Sequence, residues 1–280
     1  MTGPVGEPQS ATTLIQRGLR WRLNHHYRIH ATGICFTVFG LGAVLLSFTW
    51  FPLLRLRHWR DREQAERSIQ RNLSAACRGF VWLMKTLGVL TWEAHGLEHL
   101  QAPGQMVIAN HPTLIDVVYL IGFMPQVDCI VKAGLWRNPF LRWPVSWAGY
   151  IPNEDGEAEI LVARCAARLK AGRSLIIFPE GTRTVPGQPL AMRRGAAQIA
   201  LAANCPVVPV TITCVPLTLT KYEKWWQVPD RRCHFSLSVE PAFHSASVIP
   251  AGLPVPLAAR RLTRWMAQYY SGRLGLPAAD

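Results

Sequence analysis

The sequence predicts an α/β fold, a mixed β-sheet covered by helices and preceded by N-terminal membrane-associated helices. Three observations carry this reading. Short β-like apolar runs alternate with helical ones from about Val89 onward. Gly33 to Leu54 runs without a charge, long enough for a helix to cross the bilayer core. Between these two regions lies one long amphipathic stretch.

Residues 1–12 are rich in Gly, Pro, Ser and Thr and read as a disordered tail. Residues 13–88 read as a membrane-docking segment in three parts. Thr13 to His30 is basic and amphipathic, with Arg17, Arg20, Trp21, Arg22 and Arg28; an apolar helix follows over 33–54; an amphipathic helix covers 59–88. In the last, Ile69, Leu73, Ala76, Phe80, Leu83 and Leu87 step by three or four, which makes one helical stripe. Its arginine-bearing face suits a headgroup layer. The expectation is therefore a first half at the membrane and a second half packed on the domain. Arginines flank 33–54 on both sides, giving a weak preference for a cytoplasmic C-terminal side. Gly40, Gly42 and Pro52 equally permit a re-entrant or interfacial hairpin, so both topologies stay open. Arg55-Leu56-Arg57 stands where a signal peptide would have its small-residue cleavage site.

Residues 89–280 read as the catalytic domain, ending in an amphipathic helix from Leu257 to Tyr270. Candidate strands are Thr91–His95, Met106–Asn110, Cys129–Lys132, Ser174–Phe178, Val207–Cys214 and Phe235–Val239. Candidate helices are Leu114–Gly122, Glu157–Ala171 and Gly195–Ala203. The sequence shows no internal repeat and no second globular domain.

Charged residues make up only 17%, yet the formal net charge is +13 and there are 11 tryptophans. An apolar, Trp-rich, basic chain suits an anionic membrane surface, where each nearby cation contributes about 1 kcal/mol. Nucleic acid is disfavoured as a partner, because no recognition motif accompanies the charge. The seven cysteines are odd in number and form no Cys-x-x-Cys pair. They read as reduced, buried thiols of a cytosol-facing protein, with neither a disulfide frame nor a metal site.

Two segments carry the chemistry. Met106–Ala109 is a buried-strand run broken by Asn110-His111-Pro112, with a helix expected from Thr113. Thr113-x-x-Asp116 is a capping-box variant, so Asp116 has a purely structural explanation. It also has a chemical one. With His111 in the loop and Asp116 in the first turn, the carboxylate reaches back to fix the imidazole, whose other nitrogen takes a proton. No Ser or Cys nucleophile motif is present, so such a pair implies that the substrate's own hydroxyl attacks. The second segment, Phe178-Pro179-Glu180-Gly181-Thr182-Arg183, is a turn past another buried strand. Its arginine suits a phosphate or carboxylate, and Arg193 and Arg194 add positive potential.

Asn-His-x-Thr-x-x-Asp followed by Phe-Pro-Glu-Gly-Thr-Arg resembles the glycerolipid acyltransferase family, which includes 1-acylglycerol-3-phosphate acyltransferases. The resemblance covers about Thr91 to Val239. Weaker matching blocks are Lys132–Pro139 with Gly149-Tyr150-Ile151, and Val207–Val210. The resemblance implies a membrane-bound enzyme of phospholipid biosynthesis that moves an acyl group from acyl-CoA or acyl-carrier protein to a lysophospholipid hydroxyl, lysophosphatidic acid first. His111 would be the general base, Asp116 its orienting partner, and Glu180, Gly181, Thr182 and Arg183, with Lys132, the acceptor and phosphate site. Backbone amides or Lys132 would stabilise the oxyanion. No cofactor or metal is implied, and the site would face the cytoplasm at the inner membrane.

Thr113 replaces the more usual serine, and Pro152-Asn153-Glu154-Asp155 stands where the family often has an arginine. The pattern is also similar to a subgroup associated with bacterial aryl polyene biosynthesis. The alternatives are therefore another lipid, glycolipid or lipid-amine acceptor, or a non-catalytic membrane-anchored partner.

Overall fold

The computed structural model describes residues 11–132, 134, 136, 138, 142–153 and 156–276, with side-chain surroundings from residue 22 onward. The expected tail lies outside them apart from residues 11 and 12, which already belong to a helix. That helix, α1 (Ala11–Phe48), joins the expected basic and apolar stretches into one. Nothing at Ala31-Thr32-Gly33 interrupts it. The break comes four residues before Pro52, whose ring displaces the carbonyl of Phe48 and which lacks an N–H to bond it. The chain restarts as α2 (Trp50–Arg57).

Helix α3 (Arg62–Thr86) begins later than expected because the Asp61 side chain caps it, accepting from the Gln64 N–H at 2.9 Å. Its expected stripe is also rotated. Ala65, Ile69, Cys77, Val81 and Met84 are buried, whereas Leu73, Ala76 and Leu83 line a cleft against α1. The helix is sandwiched between the sheet and α1, so it is apolar on two adjacent faces, and a single three-four stripe follows the seam between them. Phe80 lies on that seam, against Phe36 and Phe39 of α1 with ring centroids at 5.6 and 4.5 Å.

The sheet has seven strands: β1 (Leu90–His95), β2 (Met106–Ala109), β3 (Asp128–Lys132), β4 (Ile151–Asn153), β5 (Leu175–Ile177), β6 (Val207–Val215) and β7 (Cys233–Val239). Their order is β1-β7-β6-β2-β5-β3-β4, parallel throughout except for the antiparallel β6–β7 pair. The mixed sheet expected from the sequence is present. Central β2 and β5 are buried at every position, as strands covered on both faces must be. Edge-side β7 alternates, burying Cys233, Phe235, Leu237 and Val239. The three-residue β4 was not foreseen.

Helices α3 and α4 (Asp116–Phe123) cover one face, together with α5 (Arg142–Trp147). Helices α6 (Ala158–Lys170), α7 (Arg194–Ala203) and α8 (Val255–Leu274) cover the other. All seven cysteines are free and buried.

Helix α3 is fixed to the sheet by buried charges. Arg173, just before β5, donates to both oxygens of Asp128 on β3 at 2.8 and 2.5 Å. Gln70 of α3 donates to Asp128 Oδ1 at 2.9 Å and to the Ala148 carbonyl at 3.0 Å. Glu66 of α3 meets Arg62 at 3.0 Å, Arg168 at 3.1 Å and Arg173 at 3.5 Å. Burial alone would lower the Arg173 pKa, but the Asp128 and Glu66 carboxylates outweigh it and raise it. The network also explains Gly149. A β-carbon there would lie 2.4 Å from the Glu66 carboxyl carbon, on a backbone with φ +68°.

Candidate active site

Parallel pairing brings the two motifs together. Met106, Val107 and Ile108 of β2 stand opposite Leu175, Ile176 and Ile177 of β5. The segments leaving their C-terminal ends, Asn110–Asp116 and Phe178–Arg183, therefore emerge side by side where open α/β sheets bind ligands. The buried side-chain amide of Asn110 extends the ladder beyond β2. Its Nδ2 donates to the Ile212 carbonyl and its Oδ1 accepts from the Ile212 N–H, each at 2.7 Å.

The expected helix start at Thr113 is three residues too early; α4 begins at Asp116 itself. The preceding residues are held by the Asp116 carboxylate rather than by helical bonds. Asp116 Oδ2 lies 2.8 Å from His111 Nδ1 and accepts from the Thr113 N–H at 2.7 Å; Oδ1 accepts from the Thr113 hydroxyl at 2.5 Å. The capping-like contact and the His–Asp pair thus coexist on one carboxylate. Burial pushes the Asp116 carboxyl up, and the bonds from His111 and Thr113 oppose it. A carboxylate only accepts, so the shared proton belongs on Nδ1 and leaves Nε2 with its lone pair. The Asp116 side chain is wholly buried while the His111 side chain retains 17% exposure. The pair is therefore supported from below and reachable from outside.

The second motif builds the walls of this pocket. The Phe178 ring stacks on the His111 imidazole at 4.1 Å. Glu180 Oε1 accepts from the His111 N–H and from the Thr184 hydroxyl, both at 2.9 Å, while the Thr184 N–H bonds the His111 carbonyl at 2.7 Å. Gly181 turns the chain with φ +67°; a β-carbon there would lie 2.8 Å from Arg193 Cδ. Thr182 follows, half-buried in the same turn. Glu180, expected in the acceptor site, is thus bonded to the backbone of the histidine. A buried carboxylate disfavours a phosphate and suits two inward-pointing donors.

Burial raises the Glu180 carboxyl above its ordinary range, and the bonds from His111 and Thr184 oppose it. A carboxyl raised in this way gives stability that is complete below its unfolded pKa and is lost as pH rises through the folded one. Glu180→Gln keeps an oxygen for both donors and removes the charge. It is expected to flatten the loss of stability that begins near pH 4.5, read from melting midpoints on either side of that window. Superimposable wild-type and variant profiles would show that Glu180 ionises without cost.

Arg183 is also more occupied than expected. Its Nη1 donates to the Leu219 and Thr220 carbonyls at 3.1 and 2.7 Å, and Nη2 to that of Lys221 at 3.4 Å. This leaves the Nε–H and one Nη2–H outside these bonds. Partial burial lowers the pKa of Lys132 at the end of β3, and the charges of Lys221, Arg193 and Arg183 lower it further. A lysine facing three like charges is stabilised by an anion among them. The sequence gives no role to Lys221, which belongs to no motif, or to the Phe178 side chain, which opens the second motif but also ends a buried-strand run. Of the departure after Ile151, Pro152 and Asn153 lie on β4; Glu154 and Asp155 fall outside the described residues. Among the described residues, no cluster of three or more His, Cys, Asp or Glu is placed to hold a metal ion.

The profile of the acyltransferase family matches residues 91–213, the span that holds both motifs. The chain is 28% identical over 138 residues to a 1-acyl-sn-glycerol-3-phosphate acyltransferase of Pseudomonas aeruginosa, covering 48% of this chain and 54% of that one. Residues 91–213 are an acyltransferase domain. A 1-acyl-sn-glycerol-3-phosphate acyltransferase of Helicobacter pylori is 32% identical over 113 residues, 39% of this chain and 48% of that one. The lyso-ornithine lipid O-acyltransferase of Pseudomonas aeruginosa is 30% identical over 135 residues, 47% and 52% of the two chains. The chain spans about half the length of these curated relatives. The crystal structure of the 1-acyl-sn-glycerophosphate acyltransferase PlsC from Thermotoga maritima shares the fold, with a TM-score of 0.61 at 18% identity over 88% of this chain and 97% of that one.

Proposed function

We propose that this chain is a membrane-docked O-acyltransferase that moves an acyl group from an acyl-CoA or acyl-carrier-protein thioester to a lysophospholipid hydroxyl, with lysophosphatidic acid the favoured acceptor. The observation that carries the reading is the His111–Asp116 pair with Nε2 unclaimed by the carboxylate, next to four crowded cations. His111 Nε2 takes the acceptor's hydroxyl proton as its oxygen attacks the thioester carbonyl. The thiol leaves and carries that proton away from the imidazolium. The cations of Arg183, Lys132, Arg193 and Lys221 hold the acceptor phosphate.

Arg183→Ala is expected to raise the KM for lysophosphatidic acid by roughly tenfold or more, since charge-assisted bonds are worth about 1.5–3 kcal/mol. An unchanged KM would move the acceptor to a lipid recognised without its phosphate. That second reading draws support from the engagement of Arg183 with the 219–221 carbonyls and from the likeness to a lyso-ornithine lipid enzyme. Supplying vesicle-bound protein with each acceptor class in turn, and finding which is consumed, separates the two.

Docking rests on α1. Arg22–Arg57 is the stretch among the described residues that is long and apolar enough to cross a membrane. One side packs on the domain, with Ala31 and Cys35 buried. The other presents Ile34, Val38, Leu41, Leu45 and Phe48, each 52–64% exposed, at steps of four and three. A helix covered along one side and bare along the other lies in the membrane plane rather than across it. Leu41→Glu with Leu45→Glu is expected to release the protein from phosphatidylglycerol vesicles in a flotation assay without opening the core. Undiminished flotation would place the docking surface elsewhere. Deleting residues 1–58 is a poorer test, because Cys35 and Phe51 are fully buried.

A further inference from the structure

The β6–β7 loop, residues 216–232, joins the active site to α1. At its first end Leu219 has an uncommon left-handed backbone, φ 54°. Its carbonyl accepts from the Leu114 N–H at 3.0 Å and from Arg183 at 3.1 Å. That end is tied to both motifs. At its far end the Asp230 carbonyl accepts from the buried Arg28 of α1 at 2.7 Å. Between them the Trp225 ring lies against Gly33, where a β-carbon would come within 3.1 Å of it. Gly33 stands five residues past Arg28, the last charged residue before the apolar part of α1.

What this loop shows to solvent is unusual for a catalytic-domain loop. Tyr222, Trp225 and Trp226 are 75%, 43% and 45% exposed. Lys221 lies over the Tyr222 ring and Lys224 over the Trp226 ring, at 5.4 and 5.0 Å. Aromatic rings interleaved with lysines, beside the boundary between the charged and apolar parts of a docking helix, have the composition of a membrane–water interface belt. Leu217 near the start of the loop and Leu114, whose N–H bonds the Leu219 carbonyl, are exposed as well. Isolated exposed hydrophobic residues need no explanation, but a contiguous aromatic patch joined to a second apolar surface does.

We infer that the β6–β7 loop is a second membrane-contacting element, seated in the headgroup layer of an anionic bilayer next to α1. It sets the mouth of the His111 site at the level where a lipid acceptor's headgroup lies. The occupant is lipid because Trp225 abuts α1 at Gly33, next to Ile34 where the bare stripe starts, and because Lys221, Lys224, Arg231 and Arg232 outnumber Glu223 and Asp230 in the loop. The docking inference rests on the membrane reading of α1 and is independent of the acceptor's identity.

Since every native cysteine is buried, an exposed cysteine in the full chain can be labelled selectively. Tyr222→Cys, carrying an environment-sensitive fluorophore, would be compared with Glu159→Cys in proteoliposomes of phosphatidylglycerol with brominated acyl chains. Glu159 lies on α6, on the opposite face of the sheet. The expected result is a blue shift and loss of emission at position 222 and neither at position 159. Equal emission at both positions, or a change at 222 that needs added acyl-carrier protein rather than lipid, would overturn the inference. A companion variant, Tyr222→Glu with Trp226→Glu, is expected to lose turnover of vesicle-borne acceptor while keeping that of acceptor in detergent micelles. Quenching at 222 with no turnover of any acceptor would sink the enzymatic proposal and leave the loop's placement standing. Turnover with no quenching would do the reverse.

Discussion

Replacing Asp116 with asparagine is expected to lower kcat by on the order of 10^3- to 10^4-fold with little change in acceptor KM, the scale seen when a triad's orienting carboxylate becomes an amide. The reason lies in proton bookkeeping. The Asp116 carboxylate accepts from His111 Nδ1 and from the Thr113 N–H and hydroxyl. With its oxygen in the place of Oδ2, an asparagine still accepts from Nδ1 and from the Thr113 N–H, and its NH2 faces the Thr113 hydroxyl, but the charge that offsets an imidazolium is gone. With the amide flipped, the NH2 meets two donors, Nδ1–H and the Thr113 N–H, and drives the imidazole to the tautomer with its proton on Nε2. The histidine stays in place, stacked on Phe178 and held at its backbone by Glu180, but in either arrangement it is a poorer base than beside the carboxylate. A normal melting midpoint with lost turnover is the expected pattern. Retained turnover would mean that Asp116 acts only as a structural cap for α4.

The second large effect concerns stability. Asp128→Ala is expected to cost about 3–5 kcal/mol, because it strands a buried charge rather than trimming a surface pair. Arg173 is only 7% exposed and would keep only the more distant carboxylates of Glu66 at 3.5 Å and Glu63 at 4.0 Å. Gln70 would lose one of its two buried acceptors. The expected signature in denaturant unfolding is a lower midpoint at unchanged slope. Asp128→Asn, which retains an acceptor for Gln70, should cost less than the alanine variant. A loss below about 1 kcal/mol in Asp128→Ala would put this network in the class of solvent-screened surface pairs. Because Glu66 and Gln70 belong to α3, the same variant should weaken the seat of the docking helices on the sheet.

How much of this was legible in the sequence differs from element to element. Strands β2 and β5 were readable because parallel strands buried on both faces are continuous apolar runs, and their endings mark the site. That β2 and β5 are neighbours, which brings the two motifs together, comes from the fold. Strand β4, with Ile151-Pro152-Asn153, was not readable; three residues that include a proline carry no periodic signal. The start of α4 was misplaced because Thr113 spends its N–H and hydroxyl on Asp116, a choice that a capping pattern alone does not reveal. The rotated stripe of α3 has a tertiary cause, the presence of α1 on its second face.

The long-range ties were beyond reach. Arg173 and Asp128 are 45 residues apart, Gln70 and Asp128 58, and Arg168 and Glu66 102. None of these pairs belongs to a motif. The roles within the second motif shifted for the same reason. The resemblance implies an acceptor site at Glu180 and Arg183, and Arg183 also suits an anion by its place in a turn beside a strand end. The fold gives Glu180 the backbone of His111 and gives Arg183 the carbonyls of the β6–β7 loop, and neither contact is encoded locally. Sequence reasoning finds a charged group more readily than it finds what that group is facing.

The central claim is that His111 delivers an acyl group to a lipid hydroxyl. Its most direct test is mass spectrometry of the products formed by vesicle-bound wild type and His111→Ala, each given lysophosphatidic acid with an acyl-CoA or acyl-carrier-protein donor. The account predicts phosphatidic acid from the wild type and none from the variant, with both proteins folded and equally membrane-bound. Equal product from the two would contradict it.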